Sequence, residues 1–142
     1  MFKHHFLIAD RDPRVREECR RFLAAHGHDV RVAADALQCL AHLQEGWPTF
    51  LVLDPKIAWG GGAGLLEWLR DEMPRARITI VLANGDAIED IPEELQPLVA
   101  AQVPRPSGLK ELLRFVTRLE DEARKSPPRR SAGTVPTPSR RV

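Results

Sequence analysis

The chain has 142 residues, 43% hydrophobic and 29% charged, with a formal net charge of +1. That length supports one domain with a real core, and no apolar run approaches the roughly 20 residues a membrane-spanning helix needs. The small net charge hides an asymmetry: six basic residues and no acids lie between Arg124 and Val142, leaving about −5 on the rest. Cys19 and Cys39 lack Cys-x-x-Cys spacing and fall within helical periodicity, so buried, reduced thiols are expected. Met1-Phe2-Lys3-His4-His5 is too short and too soon charged for a secretory signal. A cytoplasmic protein without membrane insertion is expected.

Phe6 to Ala9 reads as a first strand ending at Asp10. Asp12 suits an N-cap and Pro13 the first turn of a helix. Val15, Cys19, Phe22 and Leu23 recur at spacings of three and four and form its core face, and Gly27 ends it. Val30 to Ala33 is a second strand. Asp35 caps a second helix carrying Ala36, Leu37, Leu40 and Leu43 inward and ending near Gly46. Thr49-Phe50-Leu51-Val52-Leu53-Asp54 is a continuous apolar run into one carboxylate, the pattern of a strand buried on both faces.

The next stretch holds Gly60, Gly61, Gly62 and Gly64 and reads as a flexible connection opening a third helix, with Leu65, Leu66, Trp68 and Leu69 inward. Arg77 to Leu82 is a fourth strand, closed by Ala83-Asn84-Gly85. Pro92 and Pro97 make the fourth helix short or broken. Ala101-Gln102-Val103 is a weak fifth strand. Arg105-Pro106 leads to Ser107 as N-cap of a fifth helix striped with Leu109, Leu112, Leu113, Val116 and Leu119. Five alternations of strand and helix predict an α/β fold, a five-stranded parallel sheet with helices on both faces in three layers. The folded part is expected over residues 1–123. Residues 124–142, basic and rich in Pro and Ser, are expected as a disordered tail.

Asp10 and Asp54 both follow apolar strands at the C-terminal end, where open α/β sheets place their chemistry. The chain resembles the receiver domain of bacterial two-component response regulators over roughly Phe6 to Leu119. The likeness lies in Ile8-Ala9-Asp10, Pro13-Arg14-Val15-Arg16, His26-Gly27-His28-Asp29-Val30, Ala33-Ala34-Asp35-Ala36, the Trp47-to-Asp54 strand, Gly64-Leu65-Leu66 and the Arg105-Pro106 turn. It implies a doubly wound, flavodoxin-like fold and transfer of a phosphoryl group from a kinase histidine to an aspartate. It also implies a magnesium ion held by that aspartate and an acidic pair, with a hydroxyl and a lysine on the phosphoryl oxygens.

Carried over residue by residue, the resemblance puts the phosphoacceptor at Asp54 and the first acid at Asp10. The second acid falls on Arg11. The switch hydroxyl falls on Ala83, or on Asn84 with a shift of one residue. The lysine falls on Arg105 and the switch aromatic on Gln102. A guanidinium beside Asp10 and Asp54 favours a standing ion pair over a metal site, so no cofactor is expected. Magnesium, if bound, would fall to Asp10 and Asp54, with Asp12 turning inward for the missing acid.

The expectation is a stand-alone, receiver-like signalling module and not an enzyme. It would act by protein–protein contact with a histidine kinase or another signalling protein, through its fourth and fifth helices and fifth strand. The alternative is a conventional single-domain receiver phosphorylated on Asp54 by a histidine kinase. A third reading takes Asp10-Arg11-Asp12 and Gly85-Asp86-Ala87-Ile88-Glu89-Asp90 as signatures of a haloacid-dehalogenase-type phosphatase using Asp10 and Asp12.

Other signals read as structural. Trp59 is expected to be exposed or folded onto the sheet edge. His4, His5, His26, His28 and His42 form no metal pattern, and His26-Gly27-His28 reads as an ordinary polar turn. Asp86, Glu89, Asp90, Glu93 and Glu94 read as a solvated face. The tail carries no aromatic residue for base stacking, so nucleic acid would be contacted only through its charge.

Overall fold

The computed structural model describes residues 2–83, 87–104 and 108–125. Its elements are β1 (His5–Ala9), α1 (Pro13–Ala25), β2 (Asp29–Ala33), α2 (Ala36–Gln44), β3 (Phe50–Leu53) and α3 (Gly61–Glu72). After these come β4 (Thr79–Ala83), 3-10 turns at Ala87–Asp90 and Glu93–Leu98, β5 (Val99–Val103) and α4 (Leu109–Lys125). The strands form one five-stranded sheet in the order β2-β1-β3-β4-β5, with every pairing parallel.

Alternation along the strands sorts side chains into two cores. Leu7, Ala9, Leu51, Leu53, Ile80 and Leu82 face α2, α3 and the second 3-10 turn. Phe6, Ile8, Phe50, Val52, Val81 and Ala83 face α1 and α4. The predicted three-layer architecture is therefore observed. β3 is buried along its whole length because it lies mid-sheet with helices on both sides.

Local chemistry sets the helix ends. The Asp12 carboxylate accepts from the Arg14 N–H and caps α1 directly before Pro13; Asp35 caps α2 in the same way through the Gln38 N–H. Gly27, at a positive φ of 90°, turns the chain from α1 toward β2. Between β4 and β5 the predicted short or broken helix is two 3-10 turns with Pro97 inside the second. A proline lacks the N–H that α-helical bonding needs there.

The glycine-rich connection is not a flexible loop up to Gly64. α3 begins at Gly61, and Gly62 packs so closely on Pro55 that a Cβ would sit 2.9 Å from the Pro55 Cα. Gly61 and Gly62 serve close packing between α3 and the chain leaving β3. Met1, Asn84, Gly85, Asp86, Arg105, Pro106, Ser107 and 126–142 lie outside the described residues, and with them the expected Ser107 cap, the Arg105-Pro106 turn and the tail from 126 on; Arg124 and Lys125, expected in the tail, continue α4.

Candidate functional site at the sheet edge

Parallel pairing aligns Ala9 of β1 with Leu53 of β3, so the residues that follow each strand emerge side by side. Those residues are Asp10 and Asp54, which are 2% and 0% exposed. Backbone bonds continue past the strand ends and fix both: the Asp54 N–H donates to the Ala9 carbonyl at 2.8 Å, and the Asp10 N–H to that of Ala33 at 3.1 Å. Two buried carboxylates at the C-terminal edge of a parallel sheet are costly unless paired, and the structure shows how each is satisfied.

Asp54 uses both oxygens. Oδ1 accepts from the Lys56 N–H at 3.0 Å. Oδ2 accepts from the Arg11 N–H at 3.1 Å and lies 3.4 Å from Arg11 Nε. Arg11 therefore closes over Asp54 with backbone and guanidinium together, its side chain 41% exposed to water. At about 4 Å and an intermediate effective dielectric the gross attraction of such charges is about 4 kcal/mol, before the carboxylate's desolvation is subtracted.

Asp10 Oδ1 accepts from the Asp12 N–H at 2.8 Å, a turn that folds the backbone over the carboxylate. The Asp10 carbonyl accepts from Arg16 Nη1 at 2.8 Å. Sequence reading gave Arg16 no part here. Its place one helical turn beyond Asp12 is the signal that would have found it.

Asp12 Oδ1 accepts from the Arg14 N–H at 2.9 Å as the α1 cap. Ala83, at the end of β4, is buried against the apolar core that holds Val15, Val52 and Val103. Gln102, opposite Leu82 on β5, is exposed. Asn84 and Arg105 fall outside the described residues. Among the described residues, no three His, Cys, Asp or Glu side chains gather closely enough to hold a metal ion.

Beside this edge, the Ala36 N–H donates to the Ala58 carbonyl and ties the connection after β3 to the start of α2. The next residue, Trp59, stands 70% exposed at a φ of 70°, unusual for a side chain of its size. Burial pushes the Cys19 thiol up to about 12, aided by the negative charges of Asp10 and Glu18; burial alone does the same to Cys39. Both are buried free cysteines, as the sequence predicts.

Comparison with known proteins follows the same lines. Residues 6–117 match the family described as the response regulator receiver domain. The chain is 30% identical over 125 residues to the response regulator MprA of Mycobacterium ulcerans (strain Agy99), covering 82% of this chain and 52% of that protein. With MprA of Mycobacterium tuberculosis (strain ATCC 25618 / H37Rv) it shares 31% over 110 residues, covering 75% and 46%. The chain thus spans about half the length of the curated relatives it matches.

Among solved structures, a CheY-like receiver domain protein from Methanospirillum hungatei JF-1 superposes with a TM-score of 0.71 at 22% identity, covering 85% of this chain and 97% of that one. The receiver domain of the Francisella response regulator 1452 gives 0.69 at 23%, covering 85% and 99%. These likenesses establish the fold.

Proposed function

Taking as premise that this chain belongs to the response regulator receiver domain family, we propose that it serves two-component signalling by protein–protein contact, with Arg11 standing as a fixed cation on Asp54. One observation carries the reading: Arg11 meets Asp54 Oδ2 with both its N–H and its Nε, at 3.1 and 3.4 Å. Magnesium needs several oxygen ligands, and a guanidinium bonded to one of them competes for the same negative charge. Here the second acidic position is a guanidinium, Asp12 is occupied as a helix cap, and both Asp54 oxygens are bonded. This donor set does not fit the metal.

The remaining positions support the same reading. Ala83 offers no hydroxyl to a phosphoryl oxygen, and Gln102 is an exposed polar residue where the resemblance puts the switch aromatic. A charge pair that holds Asp54 in one state leaves recognition to surfaces. The 3-10 turns, β5 and α4 form the face proposed for a histidine kinase or another signalling protein. The receiver family match over residues 6–117 favours this reading over the haloacid-dehalogenase one.

A second reading keeps one observation: the buried Asp10 and Asp54 do lie at neighbouring strand ends. The two readings are separated by incubating the full chain with a small-molecule phosphodonor and magnesium and measuring intact mass. The wild type should remain unmodified, and Arg11→Asp, which restores an acidic pair, should gain a phosphoryl adduct. A stoichiometric wild-type adduct that disappears in Asp54→Asn would establish conventional phosphorylation instead.

A further inference from the structure

The opposite edge of the sheet, where the strands begin, holds a second buried polar cluster. His28, just before β2, is 5% exposed at the turn that the sequence reads as an ordinary polar one. Its Nδ1 accepts from the His4 backbone N–H at 3.0 Å. The His4 ring stacks on the His28 ring at 5.5 Å and sends Nε2 to Glu120 Oε2 of α4 at 2.7 Å. The same Glu120 oxygen accepts from the Phe2 N–H at 3.0 Å. Phe6 and Phe50 wall the rings, with Phe50 5.1 Å from His4 and Phe6 5.1 Å from His28.

We propose that His28, His4 and Glu120 form a pH-sensitive clasp that seats residues 2–4 against α4 when His28 is neutral and releases them when His28 takes up a proton. An imidazole nitrogen that accepts an N–H cannot carry a proton of its own. Protonation at Nδ1 therefore breaks the bond to the His4 amide, beside the Asp29 N–H to His4 carbonyl bond with which the β1–β2 pairing begins. Phe2 and His4 also line the groove over Phe50, Val116 and Leu119, so their release uncovers apolar surface beside α4.

The charges facing His28 set the sign. Burial holds its proton affinity below that of an ordinary imidazole, and His4, His26 and the amino-terminal charge add to this; Glu120 opposes. Arg124, on the last turn of α4, also lines the groove, its guanidinium paired with Asp121. Lys3 and His5 lie 3.3 Å each from Asp29, outside the cluster. For Glu120, burial pushes the carboxyl up, but the hydrogen bonds from His4 and the Phe2 N–H outweigh it and leave it below the usual carboxylate range. Glu120 thus stays ionised while His28 titrates.

Histidine ring and backbone amide resonances of the full chain, followed from about pH 7.5 to about pH 5, test this. The His28 ring should titrate below about 6.5, and the His4 amide resonance should move with the same midpoint. Relative to intrinsic rates, the Phe2 and His4 amides should exchange faster as pH falls from about 6.5 toward that midpoint, by up to about tenfold per pH unit, and level off below it, while the Asp54 amide stays protected. His28→Asn keeps an acceptor that cannot take a proton, and in it the His4 amide shift should vanish from this range. A wild-type His28 that titrates at or above about 6.5 overturns the clasp, whether or not the variant folds. A His4 shift that survives in His28→Asn overturns it too.

Discussion

Arg11 illustrates how one side chain can change the character of a site without disturbing its frame. The backbone N–H groups of Arg11 and Lys56 would satisfy Asp54 with almost any side chain at position 11, because they come from chain direction and turn geometry. What the guanidinium adds is a charge for a carboxylate that is 0% exposed. Truncation by Arg11→Ala should therefore cost about 1–2 kcal/mol in urea unfolding, less than for a fully buried pair because Arg11 is partly solvated. An unchanged midpoint would mean the pair contributes nothing to stability. The cysteines make a second prediction at this scale. With their thiols raised to about 12, Cys19 and Cys39 should resist iodoacetamide in the native chain and react once it is unfolded in urea.

At the scale of the element, α3 shows a helix start dictated by what it packs against. Its first turn holds Gly61, Gly62 and Gly64, residues that ordinarily weaken a helix by up to about 1 kcal/mol each. A Cβ on Gly62 would meet Pro55 Cα at 2.9 Å, whereas one on Gly64 would meet nothing within 4 Å. The two alanine substitutions should thus have opposite signs. Gly64→Ala should stabilise by about 0.5–1 kcal/mol and Gly62→Ala should destabilise, both read from the urea midpoint. The cap of α1 is a simpler case. Asp12→Ala should cost about 1 kcal/mol through the lost bond to the Arg14 N–H.

Across the whole molecule, the sheet separates two polar edges: Asp10, Asp54 and Arg11 where strands end, His4, His28 and Glu120 where they begin. Their acid responses combine with that of Glu17, which hydrogen bonds from Arg20 and Arg21 hold down at about 2. The folded-state affinity of His28 is depressed, so its stability is present above the unfolded value of about 6.5 and is lost as pH falls through the folded one. The depressed carboxyls of Glu17 and Glu120 contribute stability above their unfolded value of 4.5, lost as pH falls through their lower folded ones. Urea midpoints should accordingly fall in two stages on acidification. His28→Asn should flatten the first stage and leave the second.

Apolar periodicity by itself determined the strands, the helices and the layered parallel sheet, because burial on one or both faces writes itself directly into residue spacing. It also placed Asp10 and Asp54 together, since both follow core strands, and it set the two aspartate caps. Contacts between distant residues were decided only by the tertiary structure. Gly62 looked like slack chain until Pro55 was seen against it. Most of all, a buried cluster uniting positions 4, 28 and 120 leaves no mark in local spacing. Its cause is the parallel sheet, which brings the β1 and β2 entrances together beneath the far end of α4.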